Sequence, residues 1–240
     1  VLWYTKLFGS NLGKMAKVAK LSSSSLADAV LETFQGVGVK KSHAQYALKE
    51  SLLEGKDVEN WSEKEVQNFC WILRDASKPT LIIANKMDLP HSAENFKKLR
   101  ERYKDLIVVP TSGEAELSLR RAESKGLIKY VPGEERFEVI KPQELNEAQK
   151  EALAYIRRKV FGEYLRTGVQ FAVNSTVLKL LRMNSIYPVF DIDRLTDKHG
   201  NVLPDVYLLP SGSTVDDLAG QVHSDLAKGL LYAVDKRTGL

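Results

Sequence analysis

Apolar residues recur at helical spacing through the first third of the chain. Leu26, Val30, Leu31 and Phe34 follow Ser25, which predicts a capped helix stopped by Gly36 and Gly38. Ser42 is placed to open a second helix, with Ala44, Ala47, Leu48 and Leu52 on one side and Gly55 at its end. Ser62 and Glu65 have the spacing of a capping box. Val66, Phe69, Cys70 and Leu73 then share a helical face before Lys78-Pro79 ends the run. Stripes of this kind predict helix-on-helix packing. Cys70 belongs to one of them and reads as core rather than as a reactive thiol. The serine run Ser22–Ser25 reads as a loop.

At Thr80 the pattern changes. Thr80-Leu81-Ile82-Ile83-Ala84 is a short β-branched run, as expected of a strand buried on both faces. It ends in Asn85-Lys86-Met87-Asp88, and a polar helix follows from about Ala93 to Tyr103. A second apolar run, Leu106–Val109, ends in Pro110-Thr111-Ser112-Gly113. Strand, loop, helix, strand, loop is the unit of a parallel α/β sheet, and ligands of such sheets bind at the carboxyl ends of the strands. Both polar loops are predicted to sit there.

The helical signal returns over 114–185. Leu117, Leu119 and Ala122 lie in one segment. Residues 147–167 read as a long helix burying Ala152, Tyr155, Ile156, Val160 and Leu165, and 175–181 as further helix. Leu127–Ile140 reads as irregular, with a strand or two around Pro132-Gly133. From Ile186 the signal is one of short strands, Ile186–Asp191 and Val206–Leu209, with turns at 197–201 and 210–213. Thr214 then caps a helix that presents Val215, Leu218, Ala219 and Val222, and the last residues read as the start of another hairpin.

Composition narrows the class. Of 240 residues, 43% are hydrophobic and 28% charged, the balance of a folded globular protein rather than a disordered one. No apolar run reaches eighteen residues, so no helix is expected to span a membrane. One cysteine rules out an internal disulfide, in keeping with a cytoplasmic location. The chain opens on Val1 rather than Met, without a signal-peptide pattern, and is expected to be part of a longer protein. The net charge of +4 is uneven. Residues 80–185 carry 19 basic and 14 acidic side chains, whereas 186–240 carry 5 and 8. The middle can face a polyanion and the C-terminal part cannot do so by charge alone. His43, His91, His199 and His223 are scattered without metal-site spacing.

Asn85-Lys86-Met87-Asp88 has the N/T-K-x-D form suited to guanine. That base presents N1–H and an exocyclic N2 amine on one edge, and the Asp88 carboxylate can accept from both. Adenine has no such donor pair and would leave the carboxylate unpaired. The Asn85 amide can hold neighbouring loops and the N7/O6 side, and the Lys86 stem can cover one face of the base. In the second loop a backbone N–H at Ser112 or Gly113 can donate to O6.

The two loops resemble the fourth and fifth G motifs of the P-loop GTPases, with Thr111-Ser112-Gly113-Glu114-Ala115-Glu116 as the fifth; Gly113 stands where Ala is usual. Helices before and after them, and a small β-rich end, resemble the YchF branch of the Obg-related GTPases in its archaeal and eukaryotic-like form. Tyr187-Pro188-Val189-Phe190 and the stretch from Asp205 to Ala219 resemble a TGS domain, a ubiquitin-like β-grasp. The resemblance spans most of 60–240; residues 1–59 match only as a helical insertion. It implies an α/β fold: part of a P-loop GTPase domain with a parallel sheet and helical insertions, then a C-terminal β-grasp. The expected divisions are 1–79, the helical insertion with the end of the preceding G-domain part; 80–125, the guanine-specificity half; 126–185, a helical connection; and 186–240, a truncated TGS-like module.

Two departures qualify it. Gly9-Ser10-Asn11-Leu12-Gly13-Lys14-Met15 misses the phosphate-loop form G-x-x-x-x-G-K-[ST]: its glycines are one residue too close, and Met15 stands where a hydroxyl would meet Mg²⁺. Asp197-Lys198-His199-Gly200 spells D-x-x-G, but after the fourth motif and inside a predicted turn. The parent is therefore expected to bind GTP or GDP with Mg²⁺ held by residues outside this span, to hydrolyse GTP, and to work with the ribosome or RNA. The span alone is expected to be inactive, with no catalytic residue in it. The alternatives are a non-catalytic TGS-containing module that recognises RNA or a protein, and an unrelated α/β enzyme with a chance N-K-M-D.

Overall fold

The computed structural model describes residues 2–21 and 25–239, so the loop expected over Ser22–Ser24 lies outside the described residues. The chain divides into two compact units, one up to Thr80 and one from Leu81 onward.

The first unit is helical. It comprises α1 (Leu2–Leu21), α2 (Leu26–Phe34), α3 (Lys41–Glu50) and α4 (Glu63–Ser77). Its core is hydrophobic, with Phe8, Met15, Phe34, Phe69 and Leu73 fully buried. Phe8 stacks on Trp61 with ring centroids 5.5 Å apart and meets Phe69 at 5.2 Å, the offset and tilted geometries that aromatic quadrupoles favour. The capping box forms as expected: Ser62 N–H donates to Glu65 Oε2 at 2.7 Å, and Ser62 Oγ accepts from Glu65 N–H at 3.4 Å. Gly36 lies in a 3₁₀ turn over Gln35–Val37, which ends at Gly38 with φ 76°, a conformation that favours glycine. Cys70 is buried, and burial pushes its thiol up to about 12. Gly9 and Gly13 lie inside α1, not in a phosphate-binding loop.

Two details differ from the sequence reading. Helix α3 begins one residue before Ser42, because His43 Nδ1 accepts the Lys40 N–H at 3.1 Å and fills the capping role. Leu52 is not on the buried side: it turns out with φ 57° and is exposed, and Leu53 fills the core instead.

The second unit opens with β1 (Leu81–Ala84), α5 (Ser92–Arg102), β2 (Ile107–Pro110) and α6 (Gly113–Ser124). β1 and β2 are parallel, with Leu81 opposite Ile107 and Ala84 opposite Pro110. Their carboxyl ends, and so the two polar loops, lie side by side. The expectation of burial on both faces fails at Ile83, which is 55% exposed; among the described residues β1 pairs only with β2, so the sheet is two strands wide here. β3 (Ile128–Lys129) and β4 (Glu138–Val139) form a short antiparallel pair around Pro132-Gly133. They pack with Leu119, Leu145, Leu153, Val160 and Phe161 in a second apolar cluster.

The long helix is interrupted. α7 (Glu147–Tyr155) passes through a π-helical stretch, Ile156–Phe161, into α8 (Gly162–Tyr164). The wider turn rotates the apolar stripe. Leu153, Ile156, Val160 and Phe161 are buried, whereas Ala152, Tyr155 and Leu165 are exposed, contrary to expectation. The helix also stops before Thr167, with Leu165 at φ 66° and Gly168 at φ 81°. α9 (Val169–Asn174) follows and continues as π-helix over Ser175–Leu180.

At the C-terminal end β5 (Met183–Ile186) pairs antiparallel with β6 (Tyr207–Pro210). The strand expected over Ile186–Asp191 thus lies three residues earlier, and 187–191 is loop apart from an isolated bridge between Asp191 and Thr196. Thr214 caps α10 (Val215–Val222) by accepting Asp217 N–H at 3.2 Å, and the helix breaks at His223 before α11 (Ser224–Gly229). Of the expected helix face only Ala219 is buried, and Val215 is exposed.

Candidate functional site

The fourth-motif loop leaves β1 in a conformation set by one apolar anchor. Met87 is buried, and its N–H donates to Thr111 O at 3.0 Å. To bring Met87 inward, Lys86 adopts φ 67°. That region costs a non-glycine residue about 1 kcal/mol or more. Asn85 and Lys86 are left exposed, and Asp88 is half-buried.

The second loop closes onto the first. Asn85 Oδ1 accepts the Gly113 N–H at 3.0 Å, and Thr111 Oγ1 lies 3.4 Å from the same oxygen. Ser112 Oγ donates to Asp88 Oδ1 at 2.7 Å and accepts from Ala115 N–H at 3.3 Å, so one buried hydroxyl both caps α6 and holds the carboxylate. All five residues singled out from sequence, Asn85, Lys86, Asp88, Ser112 and Gly113, lie on these two adjoining loops, and four of them are joined by direct hydrogen bonds. The Ser112 N–H is committed elsewhere: it donates to Thr167 O at 2.8 Å.

Sequence reading missed a shell of residues behind the loops. Tyr155 donates its hydroxyl to Asp88 O at 2.6 Å. Gly168 packs so closely that a Cβ there would stand 2.0 Å from Pro110 O. Glu116 is buried, with Oε2 accepting from Thr167 Oγ1 at 2.6 Å and from Tyr130 Oη at 2.8 Å, and Oε1 from Arg120 Nε at 2.6 Å. Burial alone pushes this carboxyl up, but the bonds from Thr167, Arg120 and Tyr130 outweigh it and hold the group below its ordinary value. Burial likewise pushes the Tyr130 phenol up. One signal of this shell was legible: Glu116 stands three residues before Leu119 on the apolar side of α6, where a carboxylate needs partners.

A cavity of about 460 Å³ opens beside Asp88 and Ser112, walled by Ala115, Ser118, Ala152, Tyr155 and Ile156. Among the described residues, no group of three or more His, Cys, Asp or Glu side chains is placed to hold a metal ion. None of the helices described is long and apolar enough to cross a membrane. Asp197 sits in a turn, its Oδ1 accepting from His199 and Asn201 N–H.

Comparison with known proteins finds two family matches, two relatives and a solved structure. The profile of the Obg-like GTPase YGR210-like, G4 motif-containing domain matches residues 83–191, and that of the TGS domain matches 193–237. An uncharacterized GTP-binding protein of Methanocaldococcus jannaschii is 36% identical over 236 residues, 98% of this chain and 58% of that protein. One from Schizosaccharomyces pombe is 27% identical over 182 residues, 72% of this chain and 43% of that protein. The crystal structure of a GTP binding protein from Pyrococcus horikoshii OT3 matches with a TM-score of 0.76 at 36% identity, covering 99% of this chain and 62% of the other. The chain thus spans about half the length of the curated relatives it matches. With these two adjoining domains the chain is Obg-like: it pairs the G4-motif-containing domain of the YGR210-like GTPases with a TGS domain.

Proposed function

We propose that this chain is the base-reading part of a guanine-nucleotide-binding protein. The observation that carries the reading is the 2.7 Å bond from Ser112 Oγ to Asp88 Oδ1, which fixes a carboxylate at the carboxyl ends of two parallel strands. A carboxylate so held can accept from N1–H and the N2 amine of guanine without reorganising when the base arrives. Lys86, exposed at the loop's crest, supplies its alkyl stem to one face of the base. Of the two candidate donors to O6, Gly113 is the better placed, because the Ser112 N–H is taken by Thr167. Guanine O6 would compete with Asn85 Oδ1 for the Gly113 N–H, so a small shift of the Asn85 amide accompanies binding.

The relatives are named as GTP-binding proteins, which supports GTP or GDP as the ligand. Phosphate and Mg²⁺ contacts are assigned to residues outside this span, since residues 9–15, which come nearest to the phosphate-loop form, are helical. Hydrolysis of GTP, cytoplasmic residence, and action on the ribosome or RNA belong to the same proposal. The excess of basic side chains over 80–185 supports a polyanionic partner. The 240-residue chain alone is expected to bind GTP weakly and not to hydrolyse it; micromolar or tighter binding by calorimetry would contradict that assignment of the phosphate contacts.

A further inference from the structure

Behind the two loops runs a continuous chain of hydrogen bonds that base recognition does not itself require. The Glu116 carboxylate accepts the Thr167 hydroxyl at 2.6 Å; the Thr167 carbonyl accepts the Ser112 N–H at 2.8 Å; the Ser112 hydroxyl donates to Asp88 at 2.7 Å. Glu116, Thr167 and Ser112 are all at least 95% buried, so each link stands in a low-dielectric setting where a lost partner is costly. The second end of the chain is equally fixed. Gly168, directly after Thr167, lies against Pro110 O too tightly for any side chain. Arg120 and Tyr130 hold the Glu116 carboxylate from the other side.

We propose that Thr167, held by Glu116, is a positioning residue for Asp88, setting the specificity for guanine from a segment some eighty residues downstream of the fourth motif. The inference rests on the reading of Asp88 given above. Thr167 touches no base. It fixes the Ser112 backbone, and so the hydroxyl that aims the carboxylate. Without the Thr167 hydroxyl its segment is free to draw back from Pro110–Ser112, and the Asp88 carboxylate loses its preset direction. The cost then falls on the contact that needs direction most, the bond to the N2 amine.

Inosine diphosphate lacks that amine and is the probe. In the full-length protein, affinities for GDP and inosine diphosphate are measured by calorimetry for the unaltered form and for Thr167→Val, Thr167→Ser and Asp88→Asn. Thr167→Val keeps the side chain's shape and removes the donor; it is expected to lower the GDP-to-inosine-diphosphate affinity ratio about five- to tenfold. Thr167→Ser restores the hydroxyl and the ratio. If Thr167→Val does not fold, Glu116→Gln carries the same test, with a smaller fall in the same direction. A loss shared equally by both nucleotides would show a merely structural role and overturn the proposal. A ratio that Asp88→Asn lowers but Thr167→Val and Glu116→Gln leave intact also overturns it, with the base reading preserved. A ratio that Asp88→Asn fails to move overturns both.

Discussion

The helical unit and the strand-end region are built on opposite principles. Among the described residues the buried core of the first unit is hydrophobic, from Phe8 to Leu73, with polar atoms only at its margins, where the Tyr4 hydroxyl meets Ser77 and the Trp61 indole N–H donates to Lys56 O. In the second unit Thr111, Ser112, Glu116, Thr167 and Ser175 are buried; Ser112, Thr167 and Glu116 form one chain of bonds to Asp88, and Thr111 meets Asn85. An apolar core tolerates volume-conserving exchange because its contacts are non-directional. A buried polar network gives no such latitude: each donor has one acceptor at one distance. The first arrangement yields stability. The second uses stability to hold a carboxylate still, which is what reading a base edge demands.

The sharpest way to break this contrast is Gly168→Ala. A single methyl there would meet Pro110 O at 2.0 Å in a backbone conformation with φ 81°, and about 4 kcal/mol or more should be lost. Thermal melting of the 240-residue chain measures it. The apolar counterpart is Phe69→Ala, which empties the centre of the Phe8–Trp61–Phe69 cluster. It should cost about 3–5 kcal/mol yet leave the amide resonances of Asp88, Ser112 and Gly113 in place.

Smaller effects sharpen the comparison. Tyr155→Phe removes one hydroxyl from the Asp88 carbonyl. About 1 kcal/mol of stability should go, and the Asp88 amide should exchange faster while α4 amides do not. Acid supplies the last test. Glu116 has its folded carboxyl value depressed, so its contribution is present above the ordinary carboxylate value of 4.5 and is lost as pH falls through the lower folded value. Glu116→Gln should remove that part of the acid dependence, as followed by denaturant unfolding between pH 6 and about pH 2.

What was legible in sequence follows the same division. The helical stripes around Phe34, Ala47 and Phe69 and the runs Thr80–Ala84 and Leu106–Val109 gave the elements, because periodicity records which faces are covered. Asn85 and Asp88 were singled out from the chemistry of a base edge; Ser112 was singled out for its N–H, which Thr167 takes, and not for the hydroxyl that meets Asp88. Thr167 and Gly168 were not, since their meaning lies in contacts more than fifty residues away in sequence. Leu165 was misassigned for a local reason: the π-helical stretch before it shifts the phase of later positions. Ala152 and Tyr155 precede that stretch; there Leu153 and Ile156 take the buried side instead. The strand expected at 186–191 was displaced to Met183–Ile186 because its partner, Tyr207–Pro210, sets the register.

The central claim is that Asp88, held by Ser112, reads guanine. Calorimetric titration of the full-length protein with GDP and ADP, repeated after Asp88→Asn, tests it directly. The account predicts a strong preference for GDP, reduced by at least several kcal/mol in the variant, in the range of discrimination by hydrogen bonds to a substrate edge. Equal affinity of the unaltered protein for GDP and ADP would contradict it.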